Sequence, residues 1–192
     1  INTLKFADAS ARTLDLTNGT LRLGSGLGAI LVPSGRGVFA ITNGTLTSAA
    51  ASGEIVFINS SEVVNSAALT DTGNGAVTLT KSGSGKLTFL TAPSHTGGTF
   101  VNAGSLYLPN IVNPLKPATD LTVNGGTLDF GGATQTNPAN FVIRGGTIQS
   151  GTIVKTETDY KAEGGTVSAI LGGSVGLVQT SPAAATFTGA NT

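Results

Sequence analysis

Glycine turns recur through the second half of this chain at a nearly fixed interval. From Gly104 to Gly126 is 22 residues, then 20 to Gly146, then 19 to Gly165. An apolar stripe follows each turn. Leu106-Tyr107-Leu108 follows Asn102-Ala103-Gly104, and Leu128-Asp129-Phe130 follows Asn124-Gly125-Gly126. Ile148 follows Gly145-Gly146, and Val167 follows Gly164-Gly165. Earlier in the chain Leu21-Arg22-Leu23, Leu46 and Leu87-Thr88-Phe89 follow Asn18-Gly19, Asn43-Gly44 and Gly83-Ser84-Gly85. Alternation of this kind marks strands with one buried face. No stretch repeats apolar residues at helical spacing behind a cap. A period near 20 is about half that of a propeller blade and holds roughly three short strands. One such coil cannot bury its stripe alone, but stacked coils bury it in a continuous column. The expected fold is all-β, a single-stranded parallel β-helix (β-solenoid) of roughly eight or nine coils of about 20 residues. With strands about 4.8 Å apart, the rod is on the order of 40 Å long. An antiparallel sandwich is the alternative, and it calls for hairpin turns every 8 to 12 residues or so.

Composition narrows the function. Glycine is 28 of 192 residues, about twice the usual share of ~7%. Ten basic and ten acidic residues give zero net charge, so no cationic surplus exists for nucleic acid. Cysteine is absent and histidine occurs once, which excludes disulfides, thiol chemistry and Cys- or His-rich metal sites. Absence of Cys and Met fits exposure to oxidants outside the cell. The longest apolar runs, Ala29 to Val32 and Ile55 to Ile58, read as strands; a membrane span needs about 18 to 20 residues. The chain begins at Ile1 rather than Met, which reads as a removed leader or a piece of something longer. Of three Asn-x-Ser/Thr sites, Asn18 and Asn43 read as Asn-Gly turns and Asn59 as the third. Pro109, Pro114 and Pro117 break the rhythm, because proline cannot donate in a ladder. The segment 109–120 is expected to bulge as a corner loop, and Ser48 to Ser52 reads as another corner.

Residues 75–108 read GAVTLTKSGSGKLTFLTAPSHTGGTFVNAGSLYL. This stretch resembles the autotransporter-associated β-strand repeat, also called the passenger-associated transport repeat. The matching pieces are the Lys81 to Gly85 turn, the Leu87 to Phe89 strand, the Thr96 to Thr99 turn, Asn102 to Gly104, and Leu106 to Leu108. Leu121 to Gly132 and Gly164 to Gly176 look like the flanks of such proteins. The family's Ser-Gly-Ala-Asn-Thr-Tyr is replaced by Leu90 to His95, with His95 at the aromatic position. A second copy starts at Thr186 to Thr192, 98 residues after Thr88. One solenoid domain, 1–192, with coarse units 1–98 and 99–192, follows from this. The resemblance implies an extracellular location at the bacterial cell surface and a stalk- or rod-like role.

Candidate chemistry is sparse. His95 has no sequence partner for a triad and reads as a turn or stacking residue. Asp8, Asp15 and Asp129 could converge as carboxylates for glycoside hydrolysis, but read as solvated charges. The adjacent Asp pair, His-Gly and Arg-x-Lys of polysaccharide-cleaving β-helices do not occur. Gly24 to Gly28 lacks the helix a phosphate loop needs, and calcium-binding glycine-aspartate repeats are absent. Thr-x-Thr pairs begin at Thr45, Thr70, Thr78, Thr134, Thr156 and Thr186 at irregular spacing, so no regular threonine ladder is expected. No catalytic, cofactor-binding or metal residue is assigned, no cofactor is expected, and no enzyme activity either.

No cap is legible at either end: Leu4 to Ala7 and Leu14 to Leu16 read as strands, and the last residues lie inside a repeat. Either the chain is excised from a longer rod, or its open edges pair with neighbours. The expected function is a structural, non-catalytic repeat module of an extracellular fibre or cell-surface rod, assembling head-to-tail with identical subunits or flanking repeats. Neither nucleic acid nor membrane insertion is expected. The alternative is an adhesin passenger that binds glycans or a host surface through exposed aromatics, with Tyr107 and Tyr160 as the tyrosines available.

Overall fold

Each apolar triplet of the sequence closes one side of a coil, and the coils lie one above another. The computed structural model describes all residues except Asn74 and Asn110. Among the described residues there is no helix, and every pairing between named strands is parallel. Two nine-stranded sheets run the length of the molecule. Sheet 1 stacks Thr3–Lys5, Leu27–Val32, Gly53–Asn59, Val77–Ser82, Thr99–Val101, Leu121–Val123, Phe141–Ile143, Tyr160–Ala162 and Leu177–Gln179. Sheet 2 stacks Arg12–Asp15, Phe39–Thr42, Val63–Asn65, Lys86–Phe89, Ser105–Tyr107, Thr127–Asp129, Thr147–Gln149, Gly165–Val167 and Ala185–Phe187. Nine levels joined this way make about eight turns of a β-solenoid. The sandwich alternative is excluded, since its hairpins pair antiparallel; among the described residues the one antiparallel contact is the isolated Thr72–Gly75 bridge.

A third face is built differently at the two ends. Thr20–Leu23, Thr45–Ser48 and Ala68–Leu69 form a short sheet beside coils 1 to 3. Thr134–Thr136, Thr152–Lys155 and Ile170–Gly173 form another beside coils 6 to 8. Between them, coils 4 and 5 close the face with irregular chain. The proline segment does more there than bulge. Leu115 is 2% exposed and Thr119 is 6% exposed, so these two turn in against the core, while Val112 and Lys116 to Ala118 stand out in solvent; Asn110 lies outside the described residues. The Leu115 amide is satisfied by Gln135 Oε1 at 2.9 Å, a side-chain acceptor replacing the ladder that three prolines disrupt.

Parallel register lines up one inward residue per coil. In sheet 2 the column runs Phe39, Val63, Leu87, Leu106, Leu128, Ile148, Val167 and Phe187. Leu87, Phe89, Leu106, Leu108, Leu128, Phe130, Ile148 and Val167, the core expected from alternation, are all at most 1% exposed. Burial of this kind contributes roughly 1.5–3 kcal/mol per large apolar side chain. The first coil is half-open, with Leu4, Phe6 and Leu14 only partly buried, and Phe6 stacks on Phe39 at 4.3 Å.

Glycine is needed where corners stack. At Gly146, φ is +68° and a Cβ would lie 2.0 Å from the Gly126 carbonyl. That carbonyl accepts from Thr147 N at 2.9 Å, as Gly104 O accepts from Thr127 N at 2.8 Å. The fixed glycine interval is thus the vertical contact between corners, where a side chain would push two coils apart. Asn18 and Asn43 also adopt positive φ, 56° and 59°, as their reading as Asn-Gly turns requires.

Candidate functional site

The inward column of sheet 1 is interrupted by polar residues, and they gather in the middle of the rod. Along that column Ile30 and Phe57 are followed by Lys81, then by Val101, Val123, Ile143 and Ala162. Lys81 is fully buried. Alternation puts it inside: Val77 and Leu79 precede it on the same face of Val77–Ser82. Its Nζ donates to the carbonyls of Ser82 (2.7 Å), Gly83 (2.8 Å) and Ala103 (3.1 Å). Coil 4 overhangs coil 5 at this point, a six-residue strand above a three-residue one, and the ammonium gathers the overhanging carbonyls. Burial pulls its pKa down from 10.5 to about 8, with desolvation of the charged form as the cause.

Thr99 occupies the neighbouring inward column, between Leu79 and Leu121. His95 lies beside it and is 1% exposed. Its Nε2 is 3.1 Å from Gly98 O and 3.0 Å from Thr99 Oγ1. A carbonyl only accepts, so Nε2 carries the proton and Nδ1 is an unprotonated acceptor. Nδ1 is buried without a hydrogen-bond partner. Burial, against the opposing Gly98 bond, lowers the imidazole to about 4. The ring is therefore neutral at physiological pH and fixes a turn. It stacks on no aromatic ring among the described pairs.

Asp71 ties the same turn to the coil before it, accepting from Thr96 N (2.8 Å), Thr96 Oγ1 (2.7 Å) and Val77 N (2.8 Å). Burial works to raise this carboxyl, and those hydrogen bonds outweigh it and lower it. Asn59 and Asn65 cap corners from inside: Asn59 Nδ2 donates to Ser61 O (2.8 Å) and Lys86 O (2.9 Å), and Asn65 Nδ2 to Ala67 O (2.8 Å). A second buried lysine, Lys155, donates to Pro138 O and to Ala139 O (3.2 Å), and burial lowers it too.

The carboxylates weighed from sequence do not converge. Asp8 pairs with Arg12 on the first coil, and Asp15 accepts from Thr17 and from Asn43 at 2.9 Å. Asp129 accepts from Gln149 at 2.9 Å, five coils further on, or about 24 Å along the axis. Among the described residues no group of three His, Cys, Asp or Glu is placed to hold a metal ion. Among the described residues no helix is long and apolar enough to cross a membrane. Gly24 to Gly28 runs from a corner into the strand Leu27–Val32.

Polar side chains also link coils on the outside. Asn124 Nδ2 donates to Asn102 Oδ1 (2.7 Å), Arg144 reaches Asn124 Oδ1 (3.3 Å), and Arg144 Nε pairs with Glu163 (2.9 Å). These residues follow the last sheet-1 strand position on four successive coils, a line parallel to the axis. A hydroxyl ladder runs up sheet 2 as well. Ser105, Thr127, Thr147, Thr166 and Thr186 are register partners in sequence. The Thr-x-Thr pairs that begin at Thr45, Thr78, Thr134 and Thr186 fall on four different sheets and form no ladder among themselves, as expected; this line is instead one Ser or Thr per coil. Tyr160 is buried, its hydroxyl between Ile153 O (2.6 Å) and Gly172 O (2.8 Å), so it offers no exposed platform. Tyr107 is half-buried, with Lys86 Nζ 4.3 Å from its ring centre, a cation–π contact.

The sheet-1 interruptions Lys81 and Thr99 fall within one known repeat. Residues 79–108 match the family model described as Passenger-associated-transport-repeat. The chain carries this repeat. No curated protein and no solved structure matches the chain. The matched segment starts at Leu79 and ends at Leu108, and holds Lys81, His95, Thr99 and the Gly104 corner. Sequence reasoning identified its strands and turns. It missed that Lys81 and Thr99 point inward, although the parity of Val77-x-Leu79-x-Lys81 carried that signal.

Proposed function

We propose that this chain is a structural, non-catalytic rod module of a secreted bacterial surface protein or fibre. The observation that carries the reading is the uninterrupted inward column of sheet 2, continued through eight coils from Phe39 to Phe187. A column of this kind holds an extended shape by ladder hydrogen bonds and burial, with no need of a partner to define it. The passenger-associated repeat supports a secreted location, and zero net charge leaves little long-range repulsion between modules. The commitment of His95 to a turn supports a structural role for the one imidazole. In this reading, further coils continue the rod head-to-tail, whether they belong to flanking repeats or to identical subunits. The edge strands Thr3–Lys5 and Leu177–Gln179 are the ladders they extend.

Negative-stain electron microscopy with sedimentation velocity over a concentration series tests both parts. Thin rods that lengthen with concentration are expected. Rounded particles contradict the rod, and rods of one fixed short length contradict assembly between subunits.

A further inference from the structure

The outer face of sheet 1 has a cross-section that the rod role does not explain. Its middle line, in register from coil 3 to coil 7, is Val56, Thr80, Phe100, Thr122 and Val142. These residues point away from the core, yet Thr80 and Thr122 are 6% exposed and Val142 is 9% exposed. Around Thr80 and Phe100 the flanking side chains are those of Glu54 and Thr78 on one side and Asn102 and Asn124 on the other. One flank carries Glu54 and Thr78, then Asp120, whose carboxylate accepts from Asn140 Nδ2 at 2.8 Å. The other carries Asn102, Asn124 and Arg144, already joined along the axis. A depression forms around Phe100, floored by Thr80 and walled by Glu54 and Thr78 on one side and Asn102 and Asn124 on the other. Thr80 is hydrogen-bonded to Glu54 across that wall.

We propose that this face is a groove for a neutral, linear polysaccharide lying along the rod axis. A sugar chain has apolar C–H faces and hydroxyls at its edges. The half-exposed Phe100 ring and the low floor suit the faces, and the exposed amides and the carboxylate of the rails suit the hydroxyls, by hydrogen bonds to Asn and Glu. The coil spacing of about 4.8 Å is close to the length of one pyranose unit, so the Asn102, Asn124 and Arg144 rail repeats near the ligand's own interval, while the opposite rail is open at Gly98. Glu54 lines the depression, and its charge disfavours a polyanionic chain there. A peptide strand has no edge to join here, because the backbone groups of a sheet face are already paired within the sheet. The groove relies on the rod reading for its length and not for its chemistry.

The test is isothermal titration and side-chain NMR of the whole chain with cello-, xylo-, manno- and chito-hexasaccharides, with polygalacturonate as the acidic comparison. At least one neutral series is expected to bind, to shift the Phe100 ring resonances, and to bind more tightly as its chain lengthens. Phe100→Ala is expected to weaken that binding at least about tenfold, the size seen for a central anchor, without changing the melting temperature. Leu90→Ala, at an exposed site elsewhere, is expected to leave it unchanged. No binding by any neutral series, preference for polygalacturonate, or unchanged affinity in Phe100→Ala overturns the groove. A change in sedimentation on Phe100→Ala in place of any sugar effect also overturns it, as a contact between copies. Rods that persist in the microscope while sugar binding fails sink the groove alone.

Discussion

The first three coils and the last four solve the same packing problem with different amounts of chain. Register partners in sheet 1 are 26 residues apart from Thr3 to Ala29 and 27 from Ala29 to Val56. They are 20 apart from Thr122 to Val142, 19 from Val142 to Lys161 and 17 from Lys161 to Val178. The second and third coils use sheet-1 strands of six and seven residues, the terminal first coil only three, and the narrow coils three. Both bury the same columns, so the column fixes the fold and coil length is free to vary. The two styles meet in the passenger-associated repeat. There the sheet-1 strand shortens from six residues to three, and Lys81, His95 and Thr99 supply hydrogen bonds beside the shortened ladder. The buried Lys81 sits where the two coil widths join, whereas Asn59, Asn65 and Lys155 are buried at corners on either side of it.

The sharpest way to break that view is a charge in the shared column at the junction. Leu106→Asp is expected to cost several kcal/mol, enough to remove cooperative thermal unfolding measured by circular dichroism. A variant that melts like the parent would show that Leu106 is not a rung. Next, Phe57→Ala in a wide coil and Phe141→Ala in a narrow one are expected to lose about 3–5 kcal/mol each in urea titrations. Both rings lie in inward columns, and each has an edge-on aromatic neighbour, Phe89 and Tyr160. A loss below about 1 kcal/mol at one site only would mean that the two regions do not share one core.

The junction residues give a pH signature. Lys81 titrates near 8 when folded and 10.5 when unfolded, so the unfolded chain holds more protons in between. Stability from this group is therefore full above 10.5 and is lost as pH falls to about 8. The parent should gain about 3 kcal/mol across that window, and Lys81→Met should gain less. The remaining gain comes from Lys155, which is lowered in the same direction. Tyr160 is pushed up to about 12 by burial; its contribution is present below 10 and lost only as pH rises through 12. Equal alkaline gains in parent and Lys81→Met would remove the lysine from the core. On the acid side, the His95 ring resonances should titrate near 4. A midpoint near 6.5 would place the ring in solvent. The smallest effect is expected outside, where Arg144→Ala should cost less than about 1 kcal/mol in the same urea assay. A larger loss would make the axial line of Asn102, Asn124, Arg144 and Glu163 a structural support.

How much of this was legible follows from what each residue type signals. Leu106, Leu128 and Ile148 were readable as core because apolar residues alternate behind glycine corners. The period was readable only in the narrow coils, where Gly104, Gly126, Gly146 and Gly165 touch the corner below. In the wide coils the strands lengthen and the corner residues change, so the interval blurs. Lys81 was readable as inward only from the parity of Val77-x-Leu79-x-Lys81, against the usual rule that places charge outside, and His95 lies in a turn where no parity applies. The inward turn of the proline segment was hidden too, since its anchor is Gln135, twenty residues further on. The Phe100 groove arises from three columns contributed by different coils, and no local window of sequence contains it.

The winding itself is open to direct measurement, and the absence of cysteine makes it clean. Thr13, Tyr107, Asp129 and Gln149 share one outward column of sheet 2, on coils 1, 5, 6 and 7. Nitroxides on paired cysteines at Thr13 and each of the other three, read by double electron–electron resonance, should give distances of about 19, 24 and 29 Å. A rise of one strand spacing per coil is what stacked parallel turns require. Distances that stay level or fall from Tyr107 to Gln149 would contradict it.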